Sequence, residues 1–257
     1  MKQPITLIGV GEMGAVFSHA LLRSGHPVFP ILRSTSVMEA ARVIPEPALA
    51  LVTVGEDDLH ESLGHLPEDW RSQAGLIQNE LLPRDWQRHE IASPTVAVVW
   101  FEKKQGRATK VLIPTPIAGP RAVLLVDALD SIGIPAEPIS DDDLVDELVA
   151  KNLYILTANI AGLRTGGTVS ELWDDHRPFA SAVVSEILQI QEWLVGAPVD
   201  PDRAIEGMVR AIEGDPGHGT TGRSAPRRLE RAIDHARSAG IEIPTLMEIG
   251  REAGLRV

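Results

Sequence analysis

The sequence contains no cysteine, which removes disulfides, thiolate metal sites and cysteine nucleophiles together. It is also short of positive charge. Twenty-four Lys and Arg stand against thirty-six Asp and Glu, a net charge of −12, and no basic stripe is present to follow a phosphate backbone, so no nucleic-acid partner is expected. No apolar run reaches the roughly 18 residues that a membrane span needs. Met1-Lys2-Gln3-Pro4 leads into a short apolar stretch without the layout of a signal peptide. Internal repeats, low-complexity tracts and H-E-x-x-H spacings are missing too, so no metal site is expected. These absences describe a soluble, cytoplasmic protein without a membrane partner.

What is present suits a packed core: 257 residues, 44% of them hydrophobic and 23% charged. Strand-like runs at Ile5–Val10, Val28–Leu32, Ala48–Val54, Leu76–Ile77 and Val96–Phe101 alternate with helix-like stretches such as Val16–Leu22, which Gly25 would stop. Short apolar runs without alternation fit strands buried on both faces, and the order predicts an α/β domain with a parallel, doubly wound sheet. Arg107–Ile113 reads as a further strand, followed by Pro114, Pro116 and Pro120; Arg121–Ile132 reads as a helix and Pro135–Ile139 as a last strand. After Ser140 the pattern changes. Ser140 and Asp143 have the form of a capping box, and helices are predicted at 141–164, 169–195, 201–213, 225–239 and 245–253, with Gly240 as a helix stop. The expected organisation is a Rossmann-type domain over 1–140 and an all-helical domain over 141–257. Gly214–Gly222, rich in Gly and Pro, is the long loop of the second half and is expected to be pliable.

Gly9-Val10-Gly11-Glu12-Met13-Gly14 is a G-x-G-x-x-G between a predicted strand and a predicted helix. In that context the first glycine makes the tight turn, the second lets backbone approach a pyrophosphate, and the third lets helix and strand pack closely. The helix start then offers unpaired N–H groups to the anion. A merely tight turn is the plain alternative. At the end of the second strand, where an NAD site would carry Asp or Glu, stand Arg33-Ser34-Thr35. A guanidinium can stack on adenine and grip a 2′-phosphate, so NADP(H) is the expected cofactor, unless Arg33 is an ordinary surface arginine.

Taken together these residues resemble the ketopantoate reductase family, within the 6-phosphogluconate-dehydrogenase-like group. The glycine loop and Arg33 fit it, and Leu76-Ile77-Gln78-Asn79 is similar to its "QN" segment. Lys151 with Asn159 eight residues on looks like its catalytic lysine and a substrate asparagine, and Ala236–Pro244 like its closing helix and turn. The resemblance spans essentially the whole chain and departs at three places. Glu80 stands where "QNG" would have glycine, Ile155 where a substrate asparagine is usual, and Ser224 at or near a glutamate position.

The resemblance implies that Lys151 is the proton donor to a carbonyl oxygen and that Asn79, Asn159 and Ser224 border the substrate, with Asn79 also near the cofactor. An ammonium suits the first role, because hydride addition to a carbonyl leaves negative charge on oxygen. Asn159 lies two helical turns on, about 12 Å along the axis. A solvated lysine and an ordinary interhelical amide bond are the plain readings of Lys151 and Asn159. Glu80 is readable as a base, a repellent for acidic substrates or a solvent-facing side chain. Trp100, Trp173 and Trp193 read as packing residues. Gly217–Ser224 mimics a phosphate-binding loop but carries Arg223 in place of lysine and has no strand before it. Ser224 reads equally as the cap of the next helix, with Pro226 in its first turn. His218 reads as a loop histidine, exposed or bordering a substrate. The expected function is NADPH-dependent reduction of a small 2-oxo acid or related carbonyl compound. The alternatives are an imine or larger-ketone reductase, and an inactive NADPH-binding or sensing protein. A homodimer and a monomer both remain open.

Overall fold

In the computed structural model, which describes residues 2–255, the apolar run after Pro4 forms β1 (Ile5–Ile8), with all four residues buried. The glycine loop follows, then α1 (Glu12–Arg23), closed by Ser24 and by Gly25 at φ +88°. Next come β2 (Val28–Ile31), α2 (Val37–Val43) and β3 (Leu49–Val52), the last again buried throughout. A single helical turn at Glu56–Asp58 leads into α3 (Leu59–Gly64), α4 (Glu68–Arg71), β4 (Ala74–Leu76), α5 (Pro83–Gln87) and β5 (Thr95–Ala97). The chain continues through β6 (Phe101–Glu102), β7 (Lys110–Val111), β8 (Thr115–Ala118), α6 (Ala122–Asp130) and β9 (Ala136–Pro138). The remainder is helical: α7 (Asp141–Thr165), α8 (Val169–Asp175), α9 (Arg177–Val195), α10 (Pro201–Gly214), α11 (Ala225–Ala239) and α12 (Pro244–Glu252). The chain divides into two compact units, Met1–Val145 and Asp146–Val257.

The first unit is the expected α/β architecture. Its seven-stranded sheet has the order β2-β1-β3-β4-β5-β8-β9. The chain therefore leaves β1 for one side through β2 and crosses to the other through β3, which makes the β1/β3 boundary the switch point where such sheets collect ligands. Leu7 and Leu51 pair in register across that boundary. The core on one side of the sheet joins Val16, Phe17 and Leu21 of α1 to Leu125 and Leu129 of α6.

Three strand expectations need correction. The sheet is not purely parallel, because β8 runs antiparallel to β5, with Val96 opposite Ala118. β8 lies in the proline-rich stretch, where the sequence marks no strand; proline lacks a ladder N–H, and Pro116 contributes its carbonyl alone, which accepts from the Val98 N–H at 2.9 Å. Val96–Phe101 is not one strand, and Arg107–Ile113 contributes only two residues: Phe101–Glu102 and Lys110–Val111 pair as a separate hairpin. The helices α2 to α5, four to seven residues long, are too short to show a helical period.

In the second unit, the stretch 169–195 is two helices rather than one. α8 starts on a capping box, in which Thr168 Oγ1 accepts from the Glu171 N–H and the Glu171 carboxylate accepts from the Thr168 N–H. It ends at His176, and Pro178 sits in the first turn of α9, where its missing N–H removes nothing. Ser140 caps α7 as expected, accepting from the Asp143 N–H at 3.2 Å. α10 approaches α7 closely: a Cβ on Gly207 would lie 2.6 Å from Ala150 Cβ. Across α7 and α9, Asn152 donates to Gln191 at 3.0 Å in a buried pair.

Glu186 of α9 is buried at 7% exposure, and its carboxylate accepts from the Thr245 and Leu246 N–H groups at 2.8 and 2.9 Å. It thereby satisfies two of the orphan donors at the start of α12, where Pro244 has no N–H to offer, and places negative charge at the helix's positive end. Glu186→Ala is expected to destabilise the protein by about 2 kcal/mol, the scale for charged hydrogen bonds, in urea denaturation. It should also speed hydrogen exchange at Thr245 and Leu246. Unchanged exchange there would mean that packing alone holds α12.

Candidate functional site

The turn between β1 and α1 shows a separate reason for each glycine. Gly9 has φ +89°, and a Cβ there would lie 2.8 Å from Val54 Cγ1. Gly14 lies within α1, where a Cβ would fall 2.5 Å from the Gly9 carbonyl oxygen and 2.8 Å from Thr53 Oγ1. Gly11 has no atom within 4 Å of where its Cβ would be, so its backbone faces open space at the cap of α1. No side chain caps that helix start, so its first N–H groups are not engaged by a capping residue. Thr53, at the end of β3, fastens the loop: its hydroxyl donates to the Ile8 and Gly9 carbonyls and its N–H to Ile8. Gln78 holds the adjoining segment, donating to the carbonyls of Val52 at 2.8 Å and Val54 at 3.2 Å. Neither Thr53 nor Gln78 was marked by sequence reasoning as a loop support, because each acts on residues far away in the chain.

A groove of about 1180 Å³ opens at this point, lined by Gly9, Val10 and Gly11 and by Arg33, Thr53 and Asp58 from the ends of β2 and β3. Of the residues expected to bind a cofactor, Gly9, Val10, Gly11 and Arg33 line it. Glu12, Met13, Gly14 and Ser34 do not; from the Arg33 segment, Thr35 and Ser36 take part instead, and Ser36 also caps α2. Arg33 is 93% exposed at its side chain and pairs with Asp58 at 3.0 Å. Asn79 is half-buried, lies outside the groove lining and donates to Glu56 Oε1 at 2.9 Å.

Glu80 follows at φ +60°, in the left-handed region that bulky residues avoid. The resemblance has glycine at this position, and the backbone supplies the reason.

In the second unit Lys151 is 5% exposed, buried within α7 rather than solvated. Ile155, one turn on, is half-buried. Asn159 has its amide occupied at both ends: it donates to the Thr220 carbonyl at 3.3 Å and accepts from Arg228 Nη1 of α11 at 2.6 Å. Arg228 is itself buried at 9% exposure. Ser224 stands at the cap position of α11 but is exposed and makes no capping bond, contrary to expectation; Pro226 does fall in the first turn. Trp100 and Trp173 are buried, as packing residues should be, whereas Trp193 is 39% exposed. His218 is half-buried, 3.4 Å from Asp215 and tilted against the Tyr154 ring.

The segment Gly214–Gly222 is not the pliable loop that its composition suggests. Thr220 is fully buried, and its hydroxyl donates to the Gly166 and Gly167 carbonyls at 2.9 and 3.1 Å. The Thr220 N–H reaches Gly167, the Val169 N–H reaches the His218 carbonyl, and Thr168 bridges Gly219. Gly162 is what admits Thr220, since a Cβ there would lie 2.6 Å from the threonine Cβ.

No protein-family model matches this sequence, and no curated protein matches it. Solved structures do. A 2-dehydropantoate 2-reductase from Methylococcus capsulatus is 15% identical, with 98% of this chain and 96% of that one covered, at a TM-score of 0.70. A ketopantoate reductase from Ralstonia eutropha is 16% identical over 98% and 97%, at 0.67. D-mandelate dehydrogenase, solved with NADH, is 14% identical over 98% and 97%, at 0.66. The chain thus has the fold of the ketopantoate reductase structures, a Rossmann-type unit followed by a helical one.

Two outcomes are expected. The Val169 and Thr220 amides should be protected in hydrogen exchange without any ligand; exchange as fast as in an open loop would restore the pliable reading. Glu80→Gly should raise stability by about 1 kcal/mol in urea denaturation, because glycine takes φ > 0 without a Cβ clash. A loss of stability would mean that the carboxylate's contacts outweigh the strain.

Proposed function

We propose that the chain is a nicotinamide-dinucleotide-dependent reductase of a small 2-oxo acid, such as ketopantoate, or of a related carbonyl compound, and that it takes NADP(H). The observation that carries this reading is the glycine turn. Gly9 and Gly14 meet two different steric demands at the β1/β3 switch point and Gly11 leaves the start of α1 open, beside a groove of dinucleotide scale. The solved neighbours, ketopantoate reductases and a mandelate dehydrogenase bound to NADH, support the reaction class. In this reading residues 1–140 hold the cofactor and 141–257 the substrate.

The site fits a dinucleotide because the Gly11 backbone is open to solvent and no side chain occupies the start of α1. When bound, reduced nicotinamide would supply the hydride. The first N–H groups of α1 would hold the pyrophosphate and Arg33 the 2′-phosphate. Lys151 would stabilise the negative charge that develops on the carbonyl oxygen and give that oxygen its proton. Burial at 5% exposure favours this role, since an ammonium screened from water acts more strongly on a developing anion. Asn79, Asn159 and Ser224 would border the substrate. With Ile155 replacing an amide, the same chemistry extends to imines and larger ketones. A homodimer belongs to the same proposal, supported by a Staphylococcus aureus ketopantoate reductase neighbour whose structure is described as dimeric. Among the described residues no helix is long and apolar enough to cross a membrane.

A second reading, a dinucleotide-binding protein without turnover, is favoured by one observation. The Asn159 amide already spends one N–H on Thr220 and one oxygen lone pair on Arg228, which fixes its orientation and halves its capacity for a substrate.

The test is NADPH oxidation over a panel of 2-oxo acids, ketones and imines, with cofactor affinity measured separately by fluorescence. Turnover is expected on a 2-oxo acid. Lys151→Ala should lower kcat on the order of 100-fold or more, the scale of general acid catalysis, while shifting the NADPH Kd less than about threefold. Full activity in that variant would remove Lys151 from the chemistry. Tight NADPH binding with no turnover on any panel member would select the second reading.

A further inference from the structure

Arg33 is not alone at the rim of the groove. It leaves the end of β2, Asp58 closes the helical turn after β3, and the two meet at 3.0 Å with both lining the groove. Among the described lining residues Arg33 is the single arginine or lysine, against the carboxylates of Asp58, Glu61 and Glu68. This charge balance opposes the approach of a third phosphate.

The ion pair itself holds Arg33 weakly. Its side chain is 93% exposed and that of Asp58 48% exposed, and pairs of this kind contribute little. A dianionic 2′-phosphate can therefore draw the guanidinium away. Asp58 does not leave with it. A phosphate gripped by Arg33 would share the guanidinium with a carboxylate that lies 3.0 Å from it, so that like charges on either side of Arg33 would repel. A ribose 2′-hydroxyl meets no such repulsion, and a carboxylate can accept its hydrogen bond.

We propose that Asp58 is the residue that sets the ratio of NADPH to NADH affinity in this groove, by opposing the 2′-phosphate beside Arg33. Arg33 and Asp58 thus pull cofactor choice in opposite directions, and the groove accepts both cofactors with a narrower preference than Arg33 alone would create. This inference rests on the dinucleotide reading above.

Calorimetric titration of the full-length protein with NADPH and with NADH tests it, in the wild type, Asp58→Asn and Arg33→Ala. Asp58→Asn keeps the shape and removes the charge; it should tighten NADPH about five- to tenfold and leave NADH within about threefold. Arg33→Ala should weaken NADPH about tenfold and NADH far less. Asp58→Ser provides the same charge removal should the amide misfold, with thermal melting reporting on folding. Both cofactors bound with an unchanged ratio in a folded Asp58→Asn would overturn the inference and leave the dinucleotide reading intact. Failure of the wild type to bind either cofactor at millimolar concentration would overturn both.

Discussion

The carbonyl of Gly9 occupies the space that a methyl group on residue 14 would need, and the Thr53 hydroxyl is donated to that same carbonyl. The edge of the first unit where the groove opens depends on this contact. It brings the end of β1, the start of α1 and the end of β3 together at the switch point, and it points the open backbone of Gly11 outward. Any Cβ at position 14 would push α1 off β1 and carry the helix start away from the groove. The four-residue strands beneath, buried on both faces, cannot slide to compensate, because an interior packed at crystal-like density has no spare volume.

A similar constraint organises the second unit. Gly162 of α7 admits Thr220, and Thr220 ties the chain after α10 back to the turn before α8. Asn159 donates to the Thr220 carbonyl of the same segment and accepts directly from Arg228. A stretch of glycine and proline becomes a fixed part of the helical unit because its backbone groups find partners in another turn rather than in water. Asn159 belongs to the same arrangement, with half of its amide's hydrogen-bonding capacity engaged.

The two units therefore treat their polar residues differently. In the groove, Arg33 is exposed and pairs with a half-exposed carboxylate, Asp58. In the helical unit, Lys151, Asn159 and Arg228 are buried or tied, an arrangement that favours rigid placement of a few groups over adaptability.

Much of this was legible from the sequence alone. Composition and local pattern identify the α/β first half, the helical second half, the glycine turn and the helix stops at Gly25 and Gly240, since each depends on neighbours within one or two turns. The strand β8 escaped notice because Pro116 breaks the local rule, and only an antiparallel partner far along the chain restores its hydrogen bonding. The helix expected over 169–195 failed for the opposite reason: the periodic apolar pattern continues across His176 and Pro178, while the chain turns there. The sequence by itself determined where the glycine turn lies between β1 and α1, because glycine spacing between a strand and a helix is a local property. Only the tertiary structure decided that Thr53 locks the cradle, that Asp58 meets Arg33, that Lys151 is buried and that Thr220 closes its loop. Each of these pairs residues dozens of positions apart or depends on what covers a side chain, and no local pattern carries that information.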